Sequence, residues 1–445
     1  MKRIYSLLAV LLVLVFVTGA RAQEKWSLQR CIDYALKNNI DIKQRTLNSK
    51  YYNNQLSQAK SNLLPNLNAS AQNSMSFGRS LGADNTYLNV NSNSTSGSLS
   101  ANMTLWNGST LRNAIKVADM DLRSTLEDLQ KAKDDMMLNI AAAYLEILFA
   151  DELENVAEEL LKITQQQIDR TTKLVEAGSL AKGSLLEIDA QFAREELDVV
   201  NAKNRLQLAY LSLYQLLDLP ATESFLIEKP VLPEIGANMS LMNTMDVFKN
   251  AVEIRPAVKS AEYKLESARS QLLIAKGNRL PSLTFNGNYY NYYNNKYTNY
   301  TGGKISLDEQ LKTNQRYGFG FTLSVPIFNR FQVKNGIANS QIQLENNELQ
   351  VQSTKNALRK EIEQAYTNAL AAFKRYVANQ KAVVSSQEAF RYAEEKFNVG
   401  MMNSVEYNQS KNNLSSAQSN LLQAKYEYIF RTKILDFYNG RAIEL

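Results

Sequence analysis

Apolar side chains recur at three- and four-residue steps through Leu111, Ile115, Ala118, Leu122, Leu126 and Leu129. After an interruption at Lys133 the stripe resumes at Met136, Ile140, Tyr144 and Leu148, which is the period of one helix face. No Pro or Gly occurs from Leu111 to Val175, so the pattern predicts one helix over about 110–175. At about 1.5 Å per residue it would extend roughly 100 Å, far beyond an ordinary globular helix. A second such segment covers about 331–397, with only Gly336 near its start. Shorter helices over about 40–64 and 181–217 together approximate the long one and would pace it if stacked end to end. Lys162, Gln165, Gln166, Gln167 and Asp169 occupy other faces, so one face packs and another meets water. Coiled packing is expected at that length.

Between the helices the period falls to two. Tyr317, Phe319, Phe321, Leu323, Val325 and Ile327 alternate with Gly318, Gly320, Thr322, Ser324 and Pro326. Leu283, Phe285 and Gly287 form the odd positions of the preceding segment, while Leu67, Ala69 and Ala71, then Leu99, Ala101, Met103 and Leu105, alternate with Asn, Ser, Gln and Thr. Four strands follow: about 66–77, 97–106, 282–293 and 316–328. Their lengths suit tilted membrane-spanning strands. On that reading Phe319, Phe321, Leu323, Val325, Leu99 and Met103 face lipid, and Trp106, Phe328 and Tyr289 sit at the membrane interfaces. The competing reading is half-buried strands on a soluble core. The segments between strands, 73–95 and 291–314, are rich in Asn, Ser, Gly, Thr and Tyr, as exposed hairpin tips are.

This plan occurs twice. Pro65 stands opposite Pro281 at an offset of 216, whereas Trp106 and Phe328, and then Gly178 and Gly400, stand opposite each other at 222. Six extra residues therefore lie in one hairpin of the second copy. The expected organisation is a first repeat over 23–218, a linker over 219–236 carrying Pro220, Pro230 and Pro233, and a second repeat over 237–445.

The N-terminus changes the charge arithmetic. Lys2 and Arg3 precede the apolar run from Ile4 to Val17, and Ala20-Arg21-Ala22 supplies small residues at the positions read for cleavage. Residues 1–22 read as a signal peptide. Its removal takes away Lys2, Arg3 and Arg21 and lowers the formal charge from +6 to +3. The remaining charges are mixed along the chain, so no nucleic-acid partner is expected. The 445 residues contain no His and one Cys. That composition excludes histidine general bases, histidine metal sites, multi-cysteine metal sites and a disulfide framework. Cys31 reads as a small buried hydrophobe. Asp121, Glu127, Asp134 and Glu146 are dispersed on long helices, so no enzyme, metal or cofactor is expected. Past the signal there is no second run of about 20 apolar residues, hence no ordinary transmembrane helix.

Strand number then constrains assembly. Four strands cannot close around a pore, and an open edge in lipid leaves backbone groups unsatisfied at several kcal/mol each. Chains must pool their strands. Two would give about eight, a barrel filled by its own side chains, whereas three would give about twelve and leave room for water.

A signal peptide, two copies of helix–strand–strand–long helix–helix, a Leu-Pro entry to each hairpin (Leu64-Pro65, Leu280-Pro281) and Gly178 and Gly400 after the long helices resemble the TolC family of outer membrane efflux proteins. The resemblance covers essentially all of 24–440. It implies a mixed α/β membrane protein: a homotrimer whose four strands per chain form one twelve-stranded β-barrel, continued by a long periplasmic α-helical barrel. It also implies a passive duct in the cell outer membrane, surrounded by lipid, fed by an inner-membrane transporter of the resistance-nodulation-division type through a periplasmic adaptor protein.

The same resemblance points to a periplasmic constriction. Acidic residues at the sixth and ninth positions after the second turn glycine narrow the entrance in the family; here those positions hold Glu406 and Gln409, and the first repeat has Ser184 and Glu187. A ring of three Glu406 carboxylates would favour cations. The alternative is a solvated carboxylate at a helix start. A tyrosine and an arginine that link neighbouring helices in some members are replaced by Phe397 and Met402, neither of which forms charge-assisted bonds. The functions left open are a small-molecule efflux duct, the duct of a type I protein secretion system, and a secreted helical scaffold.

Overall fold

The computed structural model describes residues 25–81, 85–89, 91–219, 225–231, 235–236, 242–299 and 301–443. The signal peptide and residues 220–224 and 232–234 of the expected linker lie outside them. In chain order the elements are β1 (Lys25–Trp26), α1 (Leu28–Asn38), α2 (Ile40–Ser61), β2 (Asn66–Ser76), β3 (Arg79–Leu81), β4 (Tyr87–Asn89), β5 (Ser92–Trp106), α3 (Thr110–Glu176) and α4 (Lys182–Leu217). After β6 (Leu226–Ile227) come α5 (Thr244–Ile254), α6 (Pro256–Gly277), β7 (Ser282–Asn294), α7 (Leu307–Thr313), β8 (Arg316–Ser324), α8 (Gln332–Asn398) and α9 (Ser404–Tyr438). Helices α5 and α6 start 216 residues after α1 and α2, and α8 and α9 start 222 residues after α3 and α4. Both long helices have 67 residues.

Local chemistry breaks the first helix of each half at equivalent points. Asn39 ends α1 in an extended conformation, and its Oδ1 accepts the Asp41 amide at 2.9 Å to start α2. In the second half Arg255 is extended because Pro256 disfavours the helical region for its predecessor. The buried Arg255 guanidinium lies 3.8 Å from the Phe437 ring centroid and 3.4 Å from Asp134. Burial lowers its pKa and Asp134 opposes that shift.

Two compact units each draw on both halves of the chain. One comprises the described residues of 25–47, 127–259 and 353–443. Its core joins Cys31, Ile32 and Ala35 of α1, Ile140, Tyr144, Ile147 and Leu148 of α3, Leu213 and Leu217 of α4, and Tyr426 and Ile429 of α9. The Tyr144 hydroxyl reaches the Glu228 and Trp26 carbonyls at 2.5 and 3.1 Å, below the parallel pair β1–β6. Cys31 is fully buried, which pushes its thiol up to about 12.

The second unit, Asn48–Leu126 with Ser260–Gln352, holds an antiparallel sheet in the order β2-β5-β7-β8. Where β5 turns into α3 and α6 into β7, the backbones of Gly108 and Gly277 meet. A Cβ on Gly277 would lie 2.6 Å from the Gly108 carbonyl oxygen, so only glycine fits there. The sheet differs from the alternation at two ends. Strand β5 starts at Ser92 rather than 97, because the polar run Ser92–Ser96 pairs with Ser76–Gln72 without any apolar signal. Strand β8 ends at Ser324 rather than 328, since Pro326 has no amide hydrogen for the ladder. The hairpin tips carry structure of their own: β3 pairs with β4, and α7 is held by buried Gln310, whose side-chain amide donates to the Asn294 and Ile305 carbonyls at 3.0 and 2.9 Å.

Candidate functional site

Residues paired directly across antiparallel strands share a face, so the register sorts every strand residue. One face carries Ala69–Leu99–Tyr289–Tyr317, then Leu67–Ala101–Gly287–Phe319, then Met103–Phe285–Phe321. A β-bulge between Thr104 and Trp106 brings Trp106 opposite Leu283, which pairs with Leu323. This face is apolar and uncovered in the single chain: Phe319 is 80% and Phe321 66% exposed. Leu99, Leu323, Val325, Trp106, Phe328 and Tyr289 are exposed as well, and Met103 is half-buried. Val325 and Phe328 lie past the last ladder pair.

The other face is polar throughout. It carries Asn66–Asn102–Asn286–Gly320, Asn68–Ser100–Asn288–Gly318, Ser70–Ser98–Tyr290–Arg316 and Thr104–Thr284–Thr322. Cross-strand bonds lace it, including Ser70 to Ser98 at 2.7 Å and the Asn286 amide to Thr322 Oγ1 at 3.1 Å. Within the sheet β2 and β8 are edges, each with one side unpaired.

The helix turns in the other unit hold the remaining candidates. Gly178 and Gly400 take φ of +72° and +76°, the left-handed conformation that ends each long helix cheaply with glycine. Asn403 caps α9, its Oδ1 accepting the Glu406 amide at 2.8 Å. Glu406 is exposed at that first turn, and Gln409, also exposed, donates along the same helix to Asn413 at 3.0 Å. Ser184 is half-buried. Exposed Glu187 accepts the Ser404 hydroxyl and so joins α4 to the start of α9. Phe397 stacks on Tyr407 at 4.7 Å, Phe390 meets the same ring at 5.4 Å, and Met402 is half-buried. Arg170 donates to Asn398, linking α3 to α8. Aromatic packing and this neighbouring pair thus stand where Phe397 and Met402 replace a tyrosine–arginine link.

A buried polar cluster here escaped the sequence reading. The Lys411 ammonium on α9 donates to the Leu160 carbonyl at 3.0 Å, to Glu195 Oε1 at 2.9 Å, and to Thr164 Oγ1. Thr164 donates to Glu195, which also accepts from Gln191 at 2.8 Å. The Lys411 and Glu195 side chains are 2% and 7% exposed, so α3, α4 and α9 meet at a desolvated ion pair. Burial lowers the Lys411 pKa and Glu195 opposes that shift. A signal existed: Lys411 lies on the buried stripe Tyr407, Lys411, Leu414, and Glu195 on the stripe Ile188, Gln191, Glu195, Val199. Opposite charges at core positions of two helices are intelligible only as partners.

Among the described residues no group of three or more His, Cys, Asp or Glu could hold a metal ion, and no helix is long and apolar enough to cross a membrane. The sheet carries a continuous apolar face.

Comparison with known proteins agrees with this architecture. The family profile described as outer membrane efflux protein matches residues 31–218 and 247–437. The chain is 24% identical over 445 residues to outer membrane protein TolC of Salmonella enteritidis, covering 96% of this chain and 84% of that protein. It is 23% identical to toxin and drug export protein A of Aggregatibacter actinomycetemcomitans, covering 90% of this chain and 83% of that one. In fold it is similar to the outer membrane protein VceC of Vibrio cholerae, with a TM-score of 0.78 at 17% identity over 94% of this chain and 97% of that chain. Two matched repeats, a two-faced sheet and paired 67-residue helices place the chain in the outer membrane efflux protein family, as a non-catalytic, passive export duct of the outer membrane.

Proposed function

We propose that three copies of the chain close one twelve-stranded barrel, β8 of each pairing with β2 of the next, and that the α-helices continue it as a periplasmic tunnel. The observation that carries this reading is a sheet with one uncovered apolar face and two unpaired edges. In lipid those edges must pair, because no water is present to satisfy them. Phe319, Phe321, Leu323, Val325, Leu99 and Met103 then face lipid, with Trp106, Phe328 and Tyr289 at its boundaries, and the Asn- and Ser-rich face lines water. Residues 1–22 direct export, 23–218 and 237–445 are the two repeats, and 219–236 joins them.

The mass of the particle extracted from the outer membrane, corrected for bound detergent, tests closure. Three chains are expected. A monomer that needs no detergent returns the chain to a secreted helical scaffold.

The duct consumes no energy. It receives cargo through a periplasmic adaptor from an inner-membrane transporter of the resistance-nodulation-division type, and the cargo is small molecules. A type I protein secretion role is the second reading, favoured by the likeness to a toxin and drug export protein. Loss of small-molecule resistance on deletion of the gene, with secreted proteins unchanged, distinguishes the two.

Glu406 forms the carboxylate ring of the periplasmic entrance, flanked by Gln409, Ser184 and Glu187, with Phe397 and Met402 packing the turn. Support comes from its exposed position in the first turn of α9. Glu406→Ala is expected to lower cation preference and divalent-ion block in planar bilayers. Unchanged reversal potentials and block would leave Glu406 as a solvated carboxylate at a helix start.

A further inference from the structure

Arg316 is the one Lys, Arg, Asp or Glu within β2, β5, β7 and β8. We infer that three Arg316 guanidiniums form an electropositive ring inside the outer mouth of the barrel, which selects for anionic solutes leaving the duct; this rests on the trimeric duct reading above.

The register places it. Arg316 pairs with Tyr290, which pairs with Ser98, which pairs with Ser70, so it stands on the polar face. It is exposed. Tyr317, one residue on, belongs to the apolar face beside Tyr289. On the apolar face Tyr317 belongs to the row Ala69–Leu99–Tyr289–Tyr317, and the next row toward the hairpin tips is Ala71–Gly97–Asn291, so the continuous run of large apolar side chains ends there. Arg316, one residue beyond Tyr317, therefore stands at the edge of the apolar band but on its water side, at the strand end joined to the hairpin tip rather than to α8.

The neighbourhood leaves the charge standing. Its row contributes only hydroxyl groups, Ser70, Ser98 and Tyr290, and the rows beneath it are Asn, Ser, Gly and Thr. Among the described residues of the tips, Arg79, Lys296, Lys304 and Lys312 outnumber Asp308 and Glu309, and Lys312 pairs with Asp308 at 2.6 Å; Asp84 lies outside the described residues.

Barrel geometry decides whether such a ring acts on the axis. Twelve strands about 4.8 Å apart, tilted by about 40°, enclose a backbone radius of roughly 12 Å. An extended arginine reaches about 6 Å inward, within the Debye length of about 8 Å at physiological salt. Three unit charges at that distance raise the local anion concentration roughly fivefold even at the dielectric of water.

Purified full-length trimers in planar bilayers test this. Arg316→Gln is expected to lower the anion-to-cation permeability ratio severalfold, Arg316→Glu to lower it further, and Arg316→Lys to retain it. Inositol hexakisphosphate added on the outer side should block wild type, with the block relieved by salt and weakened severalfold in Arg316→Gln. Wild-type particles that are monomeric or do not conduct overturn the duct reading and this inference together. Conducting trimers whose permeability ratio is unchanged in Arg316→Gln, or wild-type trimers that the polyanion leaves unblocked from outside, overturn this inference alone and leave Arg316 as a contact to lipid headgroups or solvent.

Discussion

Lys411→Met is expected to lower local stability around the α3–α4–α9 junction by about 3–5 kcal/mol, because it leaves the Glu195 carboxylate buried without a counter-charge. All three protons of the ammonium are used, by Leu160, Thr164 and Glu195, so the pair is satisfied only as a unit. Methionine fills the volume but donates nothing. The readout is hydrogen exchange of backbone amides from 188 to 199 and from 407 to 414 in the extracted particle, since a single unfolding free energy is ill-defined for a trimeric membrane protein. Lys411→Met with Glu195→Leu should recover most of the protection, as replacing a whole buried ion pair with apolar groups of similar size is close to neutral. Equal protection in Lys411→Met and wild type would mean that the pair is hydrated. The cluster would then be incidental to the packing of the helix ends that carry Glu406.

Phe321→Arg is expected to abolish assembly in the membrane. The guanidinium would enter lipid at about 2–4 kcal/mol near the midplane, once for each chain of a trimer. Thr322→Arg, one residue further on, should assemble normally, because Thr322 pairs with Thr284 on the polar face. The pair of variants is a sharp test, since size, charge and position along the strand are nearly the same and only the face differs. Detergent-extracted particle mass and the fraction of chain recovered in the outer membrane report the result. Assembly of Phe321→Arg together with failure of Thr322→Arg would exchange the lumen and lipid faces, and would place Arg316 in lipid.

Much of this architecture is legible before any coordinates. The alternation from Tyr317 to Ile327 and the stripe from Leu111 to Leu148 are local signals, because strand and helix periods are properties of neighbouring residues. Glycines 178 and 400 are legible for the same reason, each ending a long helix in a conformation that other residues resist. The polar start of β5 at Ser92 was not legible: its strand conformation comes from pairing with Gln72–Ser76, and a run of Ser, Asn and Thr has no face to reveal.

The constriction candidates divide in the same way. The family resemblance singles out the sixth and ninth positions after the turn glycine, so Glu406 and Gln409 could be named in advance, whereas the bond from Ser404 to Glu187 spans 217 residues. Lys411 and Glu195 stand 216 residues apart. Each falls on the inward stripe of its own helix, but only their meeting in the core makes them a pair.

By itself the sequence determined the long helices and the four strands of the sheet, the doubled plan with its 216 and 222 offsets, and which residues of each strand share a face, since all of these follow from short-range periodicity or from comparison of the chain with itself. The tertiary structure alone decided the strand order β2-β5-β7-β8, the row that puts Arg316 beside Tyr290, Ser98 and Ser70, and the burial of Lys411 against Glu195. The physical reason is distance along the chain: register and core ion pairs are set by hydrogen bonds between segments that sequence periodicity cannot align.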